Sequence, residues 1–394
     1  MRVLKSGAFL PVLIAAMIPF LVITVIVVAT AVQLVAWQPS VLWERSLGSG
    51  GVTVIASDSS GVYARGSGFG GSSGGPFLDK YDPGGGVVWN RTMSETGDFE
   101  ISAGLDGVYL SGENATSGIL LKYDLAGNRL WERDFPVNYV NDISASPQGA
   151  YLTEGGLVRE YDSAGNIVWT SKLSNDTVVS SRVYASVAGV FITYAGINQT
   201  NNLGPFLVKY SLSGSEIWTH PVAVGGGISG DTTGIYLAGS SLYKYDFNGN
   251  QEWMTQINSL DGSPISGSWV SVDSSGIYVS AISWRYNSYL FRYDFGGRQV
   301  WSVRLPASFE SKSYRVSSSF GTVYVGGSLS DGRDMVERLS VDASLVFFGL
   351  DSPWSFMILG SLISASAISI ISFRRLRRNR LRPHPARPTQ LSPK

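Results

Sequence analysis

The residues best suited to bind a ligand stand in one short segment, Trp284-Arg-Tyr286-Asn-Ser-Tyr289. Aromatic rings pack against sugars and peptides, and an arginine donates hydrogen bonds to polar groups on either. Asn202 lies in a second insertion at an equivalent place in the repeat described below. We therefore expect Trp284, Arg285, Tyr286, Tyr289 and Asn202 to line a surface that binds a glycan or a protein. Ordinary variation in loop sequence is the alternative.

Other residue types argue against most enzyme chemistry. The chain has no cysteine, which excludes disulfides, iron–sulfur clusters and thiolate zinc sites, and it has only two histidines, His220 and His384. His220 follows Trp218 and is expected at a strand end. The segment Asp246-Phe-Asn-Gly-Asn250 resembles a calcium loop but lacks the further acidic ligand, so we interpret it as a turn. The sequence therefore predicts no catalytic residue, no metal ligand and no cofactor.

Charge is segregated along the chain, although the formal net charge is +0. All 30 acidic residues lie between Glu44 and Asp351, and that stretch carries about −10. The tail that begins at Arg374 is rich in arginine and has no acidic residue. An acidic central region without a basic stripe argues against nucleic-acid binding.

Residues 9–37 carry no charge and are long enough to cross a bilayer as a helix. The alternative is a cleaved signal peptide, since Ala29-Thr-Ala31 has the small-x-small form of a cleavage site. Either interpretation sends the following chain out of the cytoplasm, and we expect a transmembrane helix or signal anchor.

A second uncharged segment, 353–373, begins near Trp354 and is followed at once by an arginine cluster. Arginine and lysine collect on the cytoplasmic side of membrane helices. The predicted topology places residues 1–8 and the basic tail 374–394 in the cytoplasm and residues 38–352 outside the cell membrane.

A repeat predicts the fold of the central region. Six segments share a Tyr, a Gly four residues later and a Trp eight residues later, as in Tyr123-Asp-Leu-Ala-Gly127-Asn-Arg-Leu-Trp131. This pattern is typical of a β-hairpin, in which Asp caps the turn and Gly adopts a positive φ. The repeated structural residues are Trp43, Trp89, Trp131, Trp169, Trp218, Trp253 and Trp301, with Gly85, Gly127, Gly165, Gly214, Gly249 and Gly297. We expect each Trp to pack between neighbouring units.

A second signature, Gly-x-Tyr, precedes each Tyr-Asp segment, as in Gly107-Val-Tyr109. Each unit thus has four strands and about 40–45 residues, and seven such units indicate a seven-bladed β-propeller. We expect the strand of Trp43 to close the ring by pairing in the blade of Tyr324. A decayed seventh copy of the hairpin runs from Leu339 to Phe347.

These motifs resemble the SBBP repeats of bacterial and archaeal surface propellers, which are related to PQQ-like blades. The resemblance covers nearly all of residues 41–347. It implies an all-β propeller and surface exposure, and it carries almost no information on activity.

Departures from the average blade supply the remaining candidates. Insertions occur between the third and fourth strands of units one, four and six, so we expect them to project from one face. Four sequons are external on the predicted topology and permit glycosylation; they begin at Asn90, Asn114, Asn175 and Asn198.

The sequence therefore favours a membrane-anchored, non-enzymatic cell-surface propeller that binds or scaffolds an extracellular protein or glycan. The alternative is an extracytoplasmic propeller enzyme, a hydrolase, lyase or quinoprotein-like dehydrogenase, with a central-channel site. Convergent acidic side chains in the channel would favour the enzyme.

Overall fold

The computed structural model describes ten stretches of the chain, which are residues 35–49, 54–66, 75–113, 116–136, 140–173, 177–197, 202–305, 314–328, 333–340 and 344–347. Every regular element in them is a β-strand, and within them no helix is long and apolar enough to cross a membrane. The predicted membrane segment 353–373 lies outside the described residues, as does segment 9–37 except for its last three residues.

Two compact units make up the chain, Gln38–Ser344 and a second unit formed by the two termini. Strand β1 (Val35–Gln38) pairs with β30 (Ser344–Phe347), and apart from Gln38 and Ser344 these strands belong to the second unit. Residues 35–37 are therefore extended, whereas residues 9–34 of the predicted membrane segment lie outside the described residues, and that segment stays a prediction.

Unit Gln38–Ser344 consists of seven four-stranded antiparallel sheets. Blade 1 comprises β3 (Val54–Asp58), β4 (Gly61–Gly66), β5 (Phe77–Tyr81) and β6 (Val87–Thr92). Blade 2 comprises β7 (Phe99–Gly104), β8 (Gly107–Glu113), β9 (Ser117–Tyr123) and β10 (Arg129–Pro136). Blade 3 comprises β11 (Val140–Ser146), β12 (Gly149–Glu154), β13 (Leu157–Asp162) and β14 (Ile167–Lys172). Blade 4 comprises β15 (Thr177–Ser186), β16 (Gly189–Ile197), β17 (Asn202–Tyr210) and β18 (Glu216–Pro221). Blade 5 comprises β19 (Gly227–Gly230), β20 (Ile235–Ala238), β21 (Ser241–Tyr245) and β22 (Gln251–Gln256). Blade 6 comprises β23 (Ile265–Asp273), β24 (Gly276–Ser283), β25 (Ser288–Tyr293) and β26 (Gln299–Arg304). Blade 7 comprises β27 (Arg315–Ser319), β28 (Thr322–Ser328), β29 (Arg333–Leu339) and β2 (Val41–Ser49).

The blades form a closed ring. The first strand of each blade contacts the first strand of the next, and β27 of blade 7 contacts β3 of blade 1. The hydrophobic clusters lie between neighbouring blades; one contains Trp89 and Met93 from blade 1 with Val108 and Leu121 from blade 2. The predicted seven-bladed propeller is confirmed.

The N-terminal strand closes the ring, as the sequence predicts. Strand β2 pairs with β29 from Val41↔Leu339 to Ser49↔Arg333. The prediction of a seventh hairpin copy from Leu339 to Phe347 is wrong in one respect, since β30 pairs with β1 and not with blade 7. Trp43 takes the place of the repeat Trp in this blade, and Phe347 does not.

Antiparallel connectivity gives the ring two distinct faces. The turns that join strands 1–2 of every blade and strands 3–4 of blades 1 to 6 lie on one face, here called the turn face. The connections between strands 2–3 and between blades lie on the other, here called the loop face. The predicted insertions fall in the connections from β4 to β5, from β16 to β17 and from β24 to β25. These join second to third strands, because the Trp strand, counted first in each sequence unit, is the last strand of the preceding blade. The ends of all three connections therefore lie on the loop face.

Each 3–4 turn is locked by the blade before it. In blade 2, Gly127 has a φ of 80° and donates its N–H to the Asp124 carbonyl at 3.0 Å. The Asp124 carboxylate accepts the N–H of Asn128 at 2.8 Å, which caps the turn as expected. The indole of Trp89, from blade 1, covers the α-carbon of Gly127 and donates to the carbonyl of Leu125 at 3.0 Å.

The same Trp-on-Gly contact recurs around the ring. The pairs are Trp43–Gly85, Trp89–Gly127, Trp131–Gly165, Trp169–Gly214, Trp218–Gly249 and Trp253–Gly297. The residue two positions after the Trp often hydrogen-bonds the same glycine's carbonyl, as Arg91 does with Gly127 at 2.6 Å and Thr255 with Gly297 at 2.7 Å. His220 occupies this position in blade 4, near the end of β18, and its ring lies beside Gly249.

Candidate functional site

The predicted binding segment forms the turn between β24 and β25 in blade 6. Ser283 donates its N–H to the Asn287 carbonyl at 2.9 Å, and Tyr286 donates to the Ser283 carbonyl at 2.8 Å. Tyr286 has a φ of 59°, the left-handed region that non-glycine residues rarely occupy. A backbone in this region costs about 1–3 kcal/mol, so the surrounding contacts must hold the turn.

Asp261 holds the turn from the preceding blade-to-blade connection. Its Oδ2 accepts hydrogen bonds from the Ser283 hydroxyl at 3.1 Å and the Asn287 amide at 2.5 Å. Its Oδ1 accepts the Ser259 hydroxyl at 2.8 Å and both the N–H and hydroxyl of Ser263. The hydrogen bond from Ser263, followed by the bonds from Asn287 and Ser259, holds the pKa of Asp261 well below its usual range, so the carboxylate is ionised.

Two aromatic side chains project from this rigid turn. Trp284 is 68% exposed and Tyr286 is 62% exposed, with the exposed Arg285 between them. Arg285 donates to the carbonyl of Asp261 at 3.4 Å. Large aromatic surface that is left in water on an ordered turn is typical of a binding site, because little conformational entropy remains to be lost on association.

Tyr289 does not belong to this surface. It is 1% exposed and packs in the core between blades 5 and 6, with its ring 6.0 Å from that of Phe291. Burial, with a smaller contribution from Asp261, raises the pKa of its hydroxyl. Strand β25 is covered on both faces, so neither of its sides brings Tyr289 to the surface.

The other sequence candidates are placed less completely. Asn202 begins β17 in blade 4, also on the loop face, and its side chain lies outside the described residues. Asn90 is exposed on the outer strand of blade 1, whereas the sequons at Asn114, Asn175 and Asn198 lie outside the described residues. Glycosylation at these four positions stays a prediction.

A charged cluster that sequence reasoning missed crosses the central channel. The guanidinium of Arg315, in blade 7, forms an ion pair with Glu100 of blade 2 at 2.8 Å. The same guanidinium lies 3.2 Å from the ring centroid of Trp269 in blade 6, and Arg182 of blade 4 approaches that ring to 4.5 Å. Blades 7 and 2 are not neighbours, and neither are blades 4 and 6, so the contacts of Arg315 with Glu100 and of Arg182 with Trp269 cross the ring.

Asp142 of blade 3 completes the cluster. Its carboxylate accepts the N–H of Val183 at 2.8 Å. Burial raises the pKa of Asp142, the nearby Arg182 opposes the rise, and Glu100 adds to it. Two carboxylates thus lie close to the two arginines that approach the Trp269 indole.

Each carboxylate of this cluster has an arginine beside it, since Glu100 pairs with Arg315 and Asp142 lies near Arg182. A cavity of about 240 Å³ beside it is lined by Arg65, Asp98, Phe99, Glu100, Ser111 and Arg315. Burial lowers the pKa of Arg65 to about 10, and its guanidinium lies 4.5 Å from the Phe99 ring centroid. Across the described stretches, no three His, Asp or Glu side chains converge in a way that could hold a metal ion.

Comparison with known proteins establishes the fold and nothing finer. No protein-family model matches the chain, and no curated protein matches it. Among solved structures, the chain is similar to BBS1N, determined in complex with ARL6DN, with a TM-score of 0.51 and 10% sequence identity. The match covers 78% of this chain and 97% of that chain. The resemblance to SBBP repeats therefore stays an interpretation of the motifs.

Proposed function

We propose that this protein is a membrane-anchored, extracytoplasmic β-propeller that binds a glycan or a protein through its loop face, as a recognition or scaffolding module and not as an enzyme. The observation that carries the proposal is the exposed pair Trp284 and Tyr286 on a turn that Asp261 fixes.

The chemistry of the pair suits recognition. Trp and Tyr offer wide apolar faces with few rotatable bonds, and Arg285 between them supplies hydrogen-bond donors for hydroxyl or carbonyl groups. Residues of this kind dominate the free energy of binding at protein interfaces, and the same faces stack on sugar rings. The connections from β4 to β5 and from β16 to β17 begin and end on the same loop face as this turn.

Membrane anchoring rests on the sequence. Residues 9–37 and 353–373 have the length and lack of charge of anchors, and the arginines after Phe373 orient them with the propeller outside. The extended residues 35–37 shorten the first segment, which remains long enough to span.

A cross-linking experiment in intact cells tests the binding site. A photoreactive phenylalanine analogue replaces Tyr286, and a matched probe replaces Val88, which is exposed on the outer strand of blade 1. We expect an adduct from position 286 and none from position 88. Trp284→Ala should reduce that adduct by about tenfold or more, because truncation of an anchor residue costs about 2 kcal/mol or more.

A control and a direct binding assay complete the test. Leu260→Ala removes another exposed apolar side chain from the same face and should leave the adduct unchanged. Purified full-length protein applied to a glycan array should identify a sugar ligand that Trp284→Ala loses. The absence of any Trp284-dependent adduct or glycan would refute the proposal.

A further inference from the structure

We propose that the turn face of the propeller lies flat against the lipid bilayer, with the apolar tips of blades 2, 4 and 7 in the interfacial region. The inference rests on the membrane anchoring proposed above and adds the surface that contacts the lipid. The structural relationship behind it is that the propeller's two chain ends and its exposed apolar turn tips share one face.

Both ends of the propeller leave it on the turn face. Strand β29 runs from Arg333, at the loop face, to Leu339, at the turn face, and β2 is antiparallel to it. At that end Ser40 and Ser340 are hydrogen-bonded, with Ser340 N–H to the Ser40 carbonyl at 2.9 Å and Ser40 N–H to the Ser340 hydroxyl at 2.8 Å. The chain that continues toward each predicted anchor therefore starts from one point on the turn face.

The N-terminal connection is short. If the first anchor ends before Val35, about six residues link it to Ser40, and they span at most about 20 Å at ~3.4 Å per residue. A tether of that length keeps blade 7 near the membrane surface and prevents the loop face from turning toward it.

The tips of three 1–2 turns are apolar where polar residues are normal. Leu105 in blade 2 is 81% exposed, Val187 in blade 4 is 87% exposed and Phe320 in blade 7 is 79% exposed. The equivalent tips of blades 1, 5 and 6 carry Ser59-Ser60, Thr232-Thr233 and Ser274-Ser275. Blades 2, 4 and 7 are distributed around the ring, so the three apolar tips define the plane of the turn face.

Further apolar surface surrounds these tips. Leu125, Leu212 and Phe295, in 3–4 turns, are also exposed. Between the tips lie a hollow of about 850 Å³, lined in part by Tyr184, Val187, Phe247 and Phe295, and a smaller one of about 340 Å³ that includes Leu105, Leu125 and Phe320. Large exposed apolar patches mark surfaces that protein or membrane covers.

Acidic residues on this face are tied into their own blades. Asp58 accepts hydrogen bonds from Ser60 and from Tyr63 at 2.8 Å, and Asp106 pairs with Lys122 at 2.5 Å. Because the turns of this face carry acidic residues such as Asp58 and Asp106, it suits zwitterionic lipid better than an anionic surface. Contact is therefore expected through apolar side chains.

The absence of native cysteine makes the test direct. Single cysteines replace Leu105, Val187 or Phe320 on the turn face, and Leu260 or Tyr286 on the loop face, in the full-length protein. Each variant is labelled with an environment-sensitive fluorophore and reconstituted into phosphatidylcholine vesicles. Quenching by nitroxide-labelled lipid and by aqueous iodide is then compared.

We expect lipid quenching at all three turn-face positions at least threefold above that at the loop-face positions, with iodide quenching in the opposite order. Equal iodide access at both faces would overturn the inference. Shielding of the turn face that appears only in cells, and not in pure lipid vesicles, would assign the face to a protein partner and would also overturn it.

The outcome is separable from the proposed function. Alkaline carbonate extraction shows whether the full-length chain is integral to the membrane, and the Trp284-dependent adduct reports partner binding. A protein that is integral and binds its partner, yet has a fully iodide-accessible turn face, would refute only the present inference.

Discussion

The indole of Trp89 lies against the α-carbon of Gly127 in the next blade, so closely that a methyl group on Gly127 would be 2.6 Å from the ring. Gly127 thus meets two requirements at once, a positive φ and space for a neighbour's side chain. The repeated Gly and Trp residues are therefore needed for contacts between blades as well as for the turns within them.

Substitution of Gly127 should separate these two requirements. Gly127→Ala should destabilise the propeller by about 2–3 kcal/mol, and Gly127→Val by more, because strain at φ and overlap with Trp89 add. Gly262→Ala is a matched control, since Gly262 has a φ of 71° and no atom near the added methyl group. It should cost only about 1 kcal/mol. Thermal or denaturant midpoints of the full-length protein measure the stability of both variants. Equal losses of stability would show that the Trp89 ring moves away from the added methyl group at no energetic cost.

A designed disulfide tests the closure of the ring. The hydroxyl oxygens of Ser40 and Ser340 are 3.2 Å apart across 300 positions of sequence. Ser40→Cys with Ser340→Cys should cross-link spontaneously on oxidation and stabilise the protein by up to about 5 kcal/mol, because the unfolded chain loses loop entropy. A mobility shift in non-reducing gels reports the disulfide, and the thermal midpoint reports the gain in stability. The single variants are the controls, and a double variant that stays reduced would contradict the pairing.

The sequence predicted the features that repeat and missed those that occur once. The spacing of Tyr, Gly and Trp identified the hairpins, the blade count and the closing strand. It misplaced Phe347, because a strand-like pattern does not reveal its partner. It also placed Tyr289 on the surface, because proximity to Trp284 in sequence does not show where the exposed turn ends and the buried strand begins. The cluster of Arg315, Glu100 and Trp269 had no linear signal, since each member comes from a different blade.

Protonation of Glu337 should make the closing blade pH-dependent. Glu337 is 3% exposed in β29 and lies opposite Glu44 of β2. Burial, with a contribution from Glu44, raises the pKa of Glu337 from 4.5 to about 7. The folded state therefore binds a proton that the unfolded state releases, so the free energy of unfolding should fall by about 1–3 kcal/mol between about pH 4.5 and 7.

Glu337→Gln should remove most of that fall and raise the thermal midpoint at pH 8. Glu216→Gln, at an exposed position on β18, is the control and should leave the pH profile unchanged. Thermal melts of the full-length protein across pH 4.5 to 8 provide the measurement. Identical profiles for wild type and Glu337→Gln would show that another group governs the response.

Loss of the Asp261 carboxylate should release the aromatic turn. Asp261→Asn replaces one acceptor oxygen with a donor, so it cannot accept all the hydrogen bonds from Ser259, Ser263, Ser283 and Asn287. Amide hydrogen exchange in residues 283–287 should accelerate about tenfold or more, and the Trp284-dependent adduct should weaken. Asp124→Asn, in an exposed 3–4 turn, is the control and should leave amide exchange at 283–287 unchanged. Unchanged exchange in Asp261→Asn would mean that the turn keeps its conformation without the Asp261 carboxylate.

The pairing of β2 with β29 also sets a constraint on biosynthesis. The strand that completes blade 7 is made near the beginning of the chain, and its partner is made near the end, with Val41 opposite Leu339. At about 5–20 residues per second, roughly 15–60 s separate the two during translation. Blades 1 to 6 can form in order from local hairpins, whereas β2 must wait with an unpaired edge until the last blade emerges. A folding factor that protects one exposed strand would therefore act on the nascent N-terminus, long before the rest of the ring needs help.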